Sequence, residues 1–288
     1  MFKDNALSNT LRKDSLALIF HAESGHPGGV LSAVDIFAYL WSHELNYTAV
    51  HEIYKKSRFI LSKGHAVAMI YAAAGRSGLL SPSQAPTLRQ LNSPLQGHPH
   101  VVDTPWVETS TGSLGQGFSV ALGMAMGYRA QKIDTKIYAM LGDGELQEGE
   151  VWEAFMCGAH HGLSNLCCII DYNKLQSDAT NKTIMNFEPL EEKLLAFGWN
   201  VISIDGHDVN DISRAVEQFK STRDKPTVII ANTIKGKGVS FMEGNPAWHG
   251  SVKIRVEELT LALTELRAQP EEIDRYISGH FWGPHHAE

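Results

Sequence analysis

Short apolar runs recur along the chain at Phe59 to Leu61, from Ile137 to a stop at Gly142, and at Leu166 to Ile170, Val201 to Ile204 and Val228 to Ala231. Each has the length of a strand. Between and around them apolar residues fall at helical spacing: Leu7 to Phe20, Leu31 to Trp41, the stretch after His65, Val151 to His161 and Ile212 to Phe219. This alternation predicts an α/β fold with a mainly parallel sheet and helices on both faces. Phe118 to Ala130 is rich in Ala, Gly and Met and predicts a helix packed closely on its neighbours, buried in the core or at an interface. After Gly250 the pattern turns charged and helical, from Val252 to about Ala268. The expected organisation is therefore one large domain over residues 1–250 and a helical tail over 251–288.

The polar residues that interrupt this pattern sit at strand ends. Gly142, Asp143 and Gly144 close one strand and Asn173 closes the next. Parallel strands end on the same sheet edge, so a carboxylate and a carboxamide placed this way can converge on one hard cation. Mg²⁺ takes oxygen ligands and commonly borrows some from phosphate. Gly142 and Gly144 leave room for a close approach, and a helix expected to start near Leu146 would offer free N–H groups to an anion. Taken alone, Gly-Asp-Gly is equally a common turn, and an Asn at that position equally bonds its own backbone.

Composition narrows the partners. With 288 residues, 43% of them hydrophobic, the chain can bury a full core. Its net charge of −7 and the lack of a dense Lys/Arg block favour neither nucleic acid nor an anionic membrane. No run of about 18 apolar residues occurs, and Lys3, Asp4, Arg12, Lys13 and Asp14 interrupt any leader-like N-terminus, so a cytoplasmic protein is expected. Of three cysteines, Cys167 and Cys168 lie on an expected buried strand and suit small core residues in a reducing compartment. Four of the 14 histidines, His26, His65, His98 and His249, lie in glycine-flanked loops; His160, His161, His285 and His286 match no such motif.

The longer strings are more specific. GDGELQEGEVWEA at 142–154 followed by IIDYNKLQSD at 169–178 resembles the thiamine-diphosphate motif of transketolases. Further transketolase-like motifs follow the family's order: SGHPGG at 24–29, LSKGHA at 61–66, GHP at 97–99, TGSLGQG at 111–117, IKGKG at 234–238 and WHG at 248–250. The resemblance covers roughly residues 8–250 and implies a thiamine-diphosphate-binding fold. It implies that Asp143, Asn173 and the backbone carbonyl of Leu175 ligate Mg²⁺, with Ca²⁺ or Mn²⁺ able to substitute. Gly144 and Glu145 would belong to the same cofactor motif, and Gly112, Ser113 and Leu114 would contact the diphosphate and thiazolium. Ser113 stands where the family often has Pro. His26 and His98 would meet substrate hydroxyls, while His65 and His249 would meet diphosphate and reaction-centre oxygens. Glu148 would lie near a subunit interface, where the partner domain supplies the cofactor-activating glutamate.

Transketolases are more than twice as long, and the pyrimidine-binding domain has no counterpart here. The resemblance therefore implies the N-terminal subunit of a split transketolase. Its partner would be a separately encoded C-terminal subunit, with the two forming an α2β2 heterotetramer that acts on phosphorylated sugars. A split enzyme for an unusual ketose and a non-catalytic cofactor-binding subunit stay open as alternatives.

Overall fold

In the computed structural model, which describes residues 2–45 and 57–282, five strands form one parallel sheet. They are β1 (Arg58–Leu61), β2 (Ile137–Gly142), β3 (Leu166–Tyr172), β4 (Asn200–Asp205) and β5 (Thr227–Asn232), in the order β1-β2-β3-β5-β4. All neighbouring pairs are parallel, so every strand leaves the sheet at one edge. Parallel strands need long crossovers, and the helices that supply them cover both faces. The helices are α1 (Phe2–Ala22), α2 (Pro27–Leu40), α3 (Ala68–Arg76), α4 (Gln116–Ala130), α5 (Gly149–His160), α6 (Asn181–Ile184), α7 (Leu190–Ala196), α8 (Val209–Ser221), α9 (Val256–Glu265) and α10 (Pro270–Ile277).

Because side chains alternate along a strand, the sheet divides its residues between two cores. Tyr138, Met140, Cys167, Ile169 and Ile229 pack with α1, α2, α3, α8, α9 and α10. Ile137, Ala139, Leu141, Leu166, Cys168 and Ile170 pack with α4, α5 and α7. Each fully buried Ile or Leu contributes roughly 1.5–3 kcal/mol, which makes both cores substantial. Cys167 and Cys168 are free and fully buried, one in each core, and burial pushes both thiols well above their ordinary range. Cys157, on α5, is free and half-buried.

Three elements differ from the sequence expectation. On α4, Gly117, Phe118, Ala121 and Ala125 are buried, but Val120 is 40% exposed and a Cβ at Gly123 or Gly127 would meet nothing. Its small residues permit close approach on one side without requiring it on the other. The helix expected near Leu146 starts at Gly149 and is preceded by a 3-10 turn, Gly144–Gln147. Side chains take up the local amides there: Asp143 accepts from the N–H of Gly144 (2.7 Å), and Glu145 accepts from those of Gly115 (2.8 Å) and Gly142 (3.1 Å). The amides of Gly115, Gly142 and Gly144 are thereby satisfied within the protein, while the N-terminus of α5 carries no side-chain cap. Past Gly250, Leu259, Leu263, Ile273 and Tyr276 belong to the first core. Lys13 pairs with Glu272 at 2.6 Å, and Asp14 receives Arg76 at 2.7 and 2.8 Å and the Tyr276 hydroxyl at 2.5 Å.

Candidate active site

The shared sheet edge gathers chain segments that are far apart in sequence. After β1 come Lys63 and His65, after β2 Asp143, after β3 Asn173 and Leu175, and after β5 Lys235. His26 stands at the N-cap of α2, whose first residue is Pro27, a position where the missing N–H costs nothing. His98, Gly112 and Leu114 enter from the long connection ahead of α4, and His249 from the end of the 3-10 turn Pro246–Trp248. These segments enclose a cavity of about 250 Å³.

The floor is a buried charge network. Asp171 is fully buried and accepts from Ser32 (2.6 Å), Asn173 Nδ2 (3.1 Å), Thr233 Oγ1 and Lys63 Nζ. Lys63 Nζ also donates to the Gly29 carbonyl at 2.9 Å. Burial alone would raise the Asp171 carboxyl, but the Lys63 ammonium and these hydrogen bonds hold it below its ordinary value. A buried ion pair is tolerable only when satisfied this completely. The network also orients Asn173: its Nδ2 is committed to Asp171, while Oδ1 accepts the Leu175 N–H at 3.1 Å. This is the backbone-bonded turn that the sequence allowed, and it fixes the amide.

Asp143 lies above this floor, its second oxygen accepting from the Lys174 N–H. Burial, reinforced by the Asp171 charge, pushes its carboxyl up to about 6. Opposite it, Lys235 Nζ donates to the Leu175 carbonyl (2.7 Å) and to His249 Nδ1 (2.6 Å). Burial, with repulsion from Lys63, lowers Lys235 to about 8. The cavity thus holds hard oxygen donors from Asp143, Asn173 and Leu175 facing two ammonium groups. Among the described residues no group of three His, Cys, Asp or Glu side chains could hold a metal unaided. This oxygen set fits a hard cation whose remaining ligands come from a phosphate, whose charge Lys235 would offset.

The histidines form the mouth. Ring centroids of His26, His65 and His249 are 5.1, 5.9 and 5.7 Å apart. Burial, then Arg89, lowers His26 to about 4; burial, then Lys235, lowers His249 to about 3; burial also lowers His65 well below its ordinary value and lowers His98. All four are neutral at pH 7, and a neutral imidazole both donates and accepts. Two glycines make this packing possible. A Cβ at Gly250 would lie 2.5 Å from His26 Nε2, and one at Gly112, where φ is +158°, would lie 3.2 Å from the His98 ring.

Of the residues singled out by sequence, the cavity collects His26, His65, His98, Gly112, Leu114, Asp143, Gly144, Glu145, Asn173, Leu175 and His249. Ser113 and Glu148 are exposed and do not line it, Glu148 standing at the N-cap of α5 with its Cβ against Gly115. Leu114 is half-buried at the cavity and absent from both cores. His160 and His161 meet edge to face, ring centroids 4.9 Å apart, away from the site, and His285 and His286 lie outside the described residues. Sequence reasoning missed Lys63, Lys235 and the organising role of Asp171. Both lysines stand inside recognised motifs, LSKGHA and IKGKG, and that was the available signal.

A parallel sheet whose strand ends hold oxygen ligands for a cation beside ammonium groups for an anion defines a protein that binds a diphosphate-bearing cofactor. Residues 3–273 match the family model described as "Transketolase, thiamine diphosphate binding domain", and the chain belongs to the transketolase family. It is 36% identical over 269 residues to one of the subunits of the apulose-4-phosphate transketolase of Phocaeicola vulgatus, covering 93% of this chain and 95% of that protein. It is 40% identical over 263 residues to the 6-deoxy-6-sulfo-D-fructose transketolase subunit SqwG of a Clostridium species, covering 91% and 95%. The solved transketolase of Campylobacter jejuni superimposes with a TM-score of 0.88 at 32% identity over 97% of this chain, which spans 46% of that one.

Proposed function

We propose that this chain is the N-terminal, diphosphate-binding subunit of a two-component transketolase that moves a two-carbon ketol unit from a ketose phosphate to an aldose phosphate. The observation that carries this reading is the convergence of Asp143, Asn173 and the Leu175 carbonyl opposite Lys63 and Lys235, beneath four neutral histidines. The cofactors are thiamine diphosphate and Mg²⁺, with Ca²⁺ or Mn²⁺ as substitutes. The partner is a separate C-terminal subunit carrying the pyrimidine-binding domain, and two such pairs make an α2β2 heterotetramer. Support for the division comes from relatives named as subunits and matched over 95% of their length. A cytoplasmic setting is supported by the free, buried Cys167 and Cys168. No helix among the described residues is long and apolar enough to cross a membrane.

Thiamine diphosphate, when bound, supplies the carbon nucleophile that accepts the ketol unit. The chain's own residues do the rest. Asp143, Asn173 and Leu175 would hold the cation, and Lys235 would offset diphosphate charge, while the Lys63 ammonium is committed to Asp171. Leu114 presents an apolar surface to the thiazolium. His26 and His98 orient substrate hydroxyls. His65 and His249, held neutral at rest by burial, would donate hydrogen bonds to oxygens near the reacting carbon and could take a proton from them, becoming imidazolium for as long as they carry it. Glu148, exposed at the N-cap of α5, faces the partner subunit.

The names of two relatives carry apulose 4-phosphate and 6-deoxy-6-sulfo-D-fructose, which supports a second reading in which the donor is an unusual ketose. The test is ketol transfer from xylulose 5-phosphate to ribose 5-phosphate, with magnesium and thiamine diphosphate, by this chain alone and with its partner subunit. Turnover only with the partner present is expected. Turnover by the chain alone would overturn the two-component reading, and cofactor binding without turnover in either case would favour the unusual ketose.

A further inference from the structure

Lys235 reaches the cavity from the loop after β5, whose internal bonds, such as Lys237 N–H to the Ile234 carbonyl at 3.2 Å, leave the Ile234 N–H and the Lys237 carbonyl to partners elsewhere. Its side-chain hydrogen bonds point inward to Leu175 and His249, its carbonyl accepts from the Gly244 N–H at 2.9 Å, and the neighbouring Gly236 N–H donates to the Gly28 carbonyl at 3.0 Å. On the side away from the cavity lies a second charged cluster that the cofactor chemistry does not use. Asp35, on α2, receives Arg12 of α1 through two nitrogens at 2.9 and 2.5 Å, and His207 Nδ1 at 2.7 Å. His207 Nε2 in turn accepts the N–H of Ile234 at 2.9 Å. Arg12 Nε donates to the carbonyl of Lys237 at 3.1 Å, and Arg12 Nη2 to that of Leu31 at 3.3 Å. The cluster therefore grips the residue just before Lys235 and the residue two after it.

The hydrogen bonds fix the chemistry of the ring. A carboxylate accepts at Nδ1 and a backbone amide donates at Nε2, so His207 is neutral with its proton on Nδ1. A doubly protonated ring would have no acceptor for Ile234, and a ring with the other tautomer would satisfy neither neighbour. Burial alone would raise the Asp35 carboxyl, but His207 and Arg12 hold it at about 2, so it remains an acceptor. Arg12, Asp35 and His207 have side chains at most 14% exposed.

We propose that Arg12, Asp35 and His207 form a clamp that positions the loop carrying Lys235, with His207 as a positioning residue that sets cofactor affinity through its bond to the Ile234 amide. The inference rests on the diphosphate site proposed above and reaches it through residues that touch neither cofactor nor substrate. Groups of this kind around a ligand-holding residue change affinity by roughly 10–100-fold when removed.

Two conservative replacements separate the bonds. In His207→Gln the amide oxygen can reach the old Nε2 position and accept from Ile234, while Asp35 loses one of its two partners and keeps Arg12. In His207→Asn the amide nitrogen can replace Nδ1 toward Asp35, while Ile234 loses its acceptor. The measurements are amide hydrogen exchange over residues 233–238 in the full chain without cofactor, and the dissociation constant of magnesium thiamine diphosphate for the chain with its partner subunit. His207→Leu and His207→Asn are expected to speed exchange and weaken binding roughly tenfold, with His207→Gln close to wild type in both. Faster exchange with unchanged affinity would overturn the clamp, as would equal losses in Gln and Asn. Should His207→Leu fail to fold, the Gln and Asn pair decides alone. Failure of wild type to bind the cofactor at all would refute the proposed site instead, while the exchange result would still stand.

Discussion

Asp171, Lys63 and Glu145 on the cavity floor are almost wholly buried, and every charged atom they carry has a partner. His26, His98 and His249 at the mouth stay half-exposed. The His98 ring has no hydrogen bond among the described residues, and His26 has one long contact, 3.5 Å from Arg89. The two regions share one sheet edge yet differ in how much of their bonding capacity folding consumes. The floor uses its capacity on itself, because a buried charge without a partner costs several kcal/mol. The mouth retains donors and acceptors for molecules that arrive later. A residue's burial here therefore forecasts whether its loss will be felt in stability or in binding.

The sharpest way to break this contrast is Lys63→Met, which strands Asp171 in the interior. We expect a loss of about 3–5 kcal/mol in urea unfolding; an unchanged midpoint would mean that the floor is no more committed than the mouth. Asp143 stands between the regions. Asp143→Ala should weaken magnesium-dependent thiamine diphosphate binding by the assembled enzyme about 100-fold or more in calorimetry, and wild-type affinity would refute its place as a metal ligand.

Acid should probe the mouth next. His26 and His249 have folded values near 4 and 3, below the 6.5 of an unfolded imidazole, so the unfolded chain binds more protons as pH falls. Their contribution to stability is complete above pH 6.5 and is lost progressively toward pH 3. Asp143 acts in the opposite sense: raised to about 6, it destabilises the fold above that pH, and this penalty fades toward 3.8. With two imidazoles against one carboxyl, the cofactor-free chain should lose stability below pH 6.5 in urea titrations, and the double replacement of His26 and His249 by Asn should flatten the slope. Because a protonated carboxyl is no ligand, cofactor affinity should also fall about tenfold per pH unit below about 6. The smallest stability effect belongs to Glu148→Gln. Its urea midpoint should stay within about 0.5 kcal/mol of wild type while turnover of the assembled enzyme drops roughly 100-fold. Unaltered turnover would remove Glu148 from the partner-facing site.

What the sequence showed and hid follows the same physics. β3 was legible as Leu166 to Ile170 because a strand buried on both faces must be a continuous apolar run. His26, His65, His98 and His249 were legible because glycine-flanked loops are where a site can be built. Lys63 and Lys235 were not, since lysine ordinarily means solvent and only the strand order brings the segment after β5 beside the one after β3. The start of α5 lies later than expected because local spacing cannot show Glu145 folding back to take the amides of Gly142 and Gly115. Nor could periodicity place α10, whose Tyr276 is held by Asp14 from the other end of the chain.

The three thiols have a practical consequence. Cys167 and Cys168 are sealed on opposite sides of one strand, whereas Cys157 on α5 is partly accessible, on the helix that begins one residue after Glu148. A maleimide dye added to the folded chain would therefore mark a single place. Its fluorescence would report association with a second subunit in real time, with no cysteine engineered in or out.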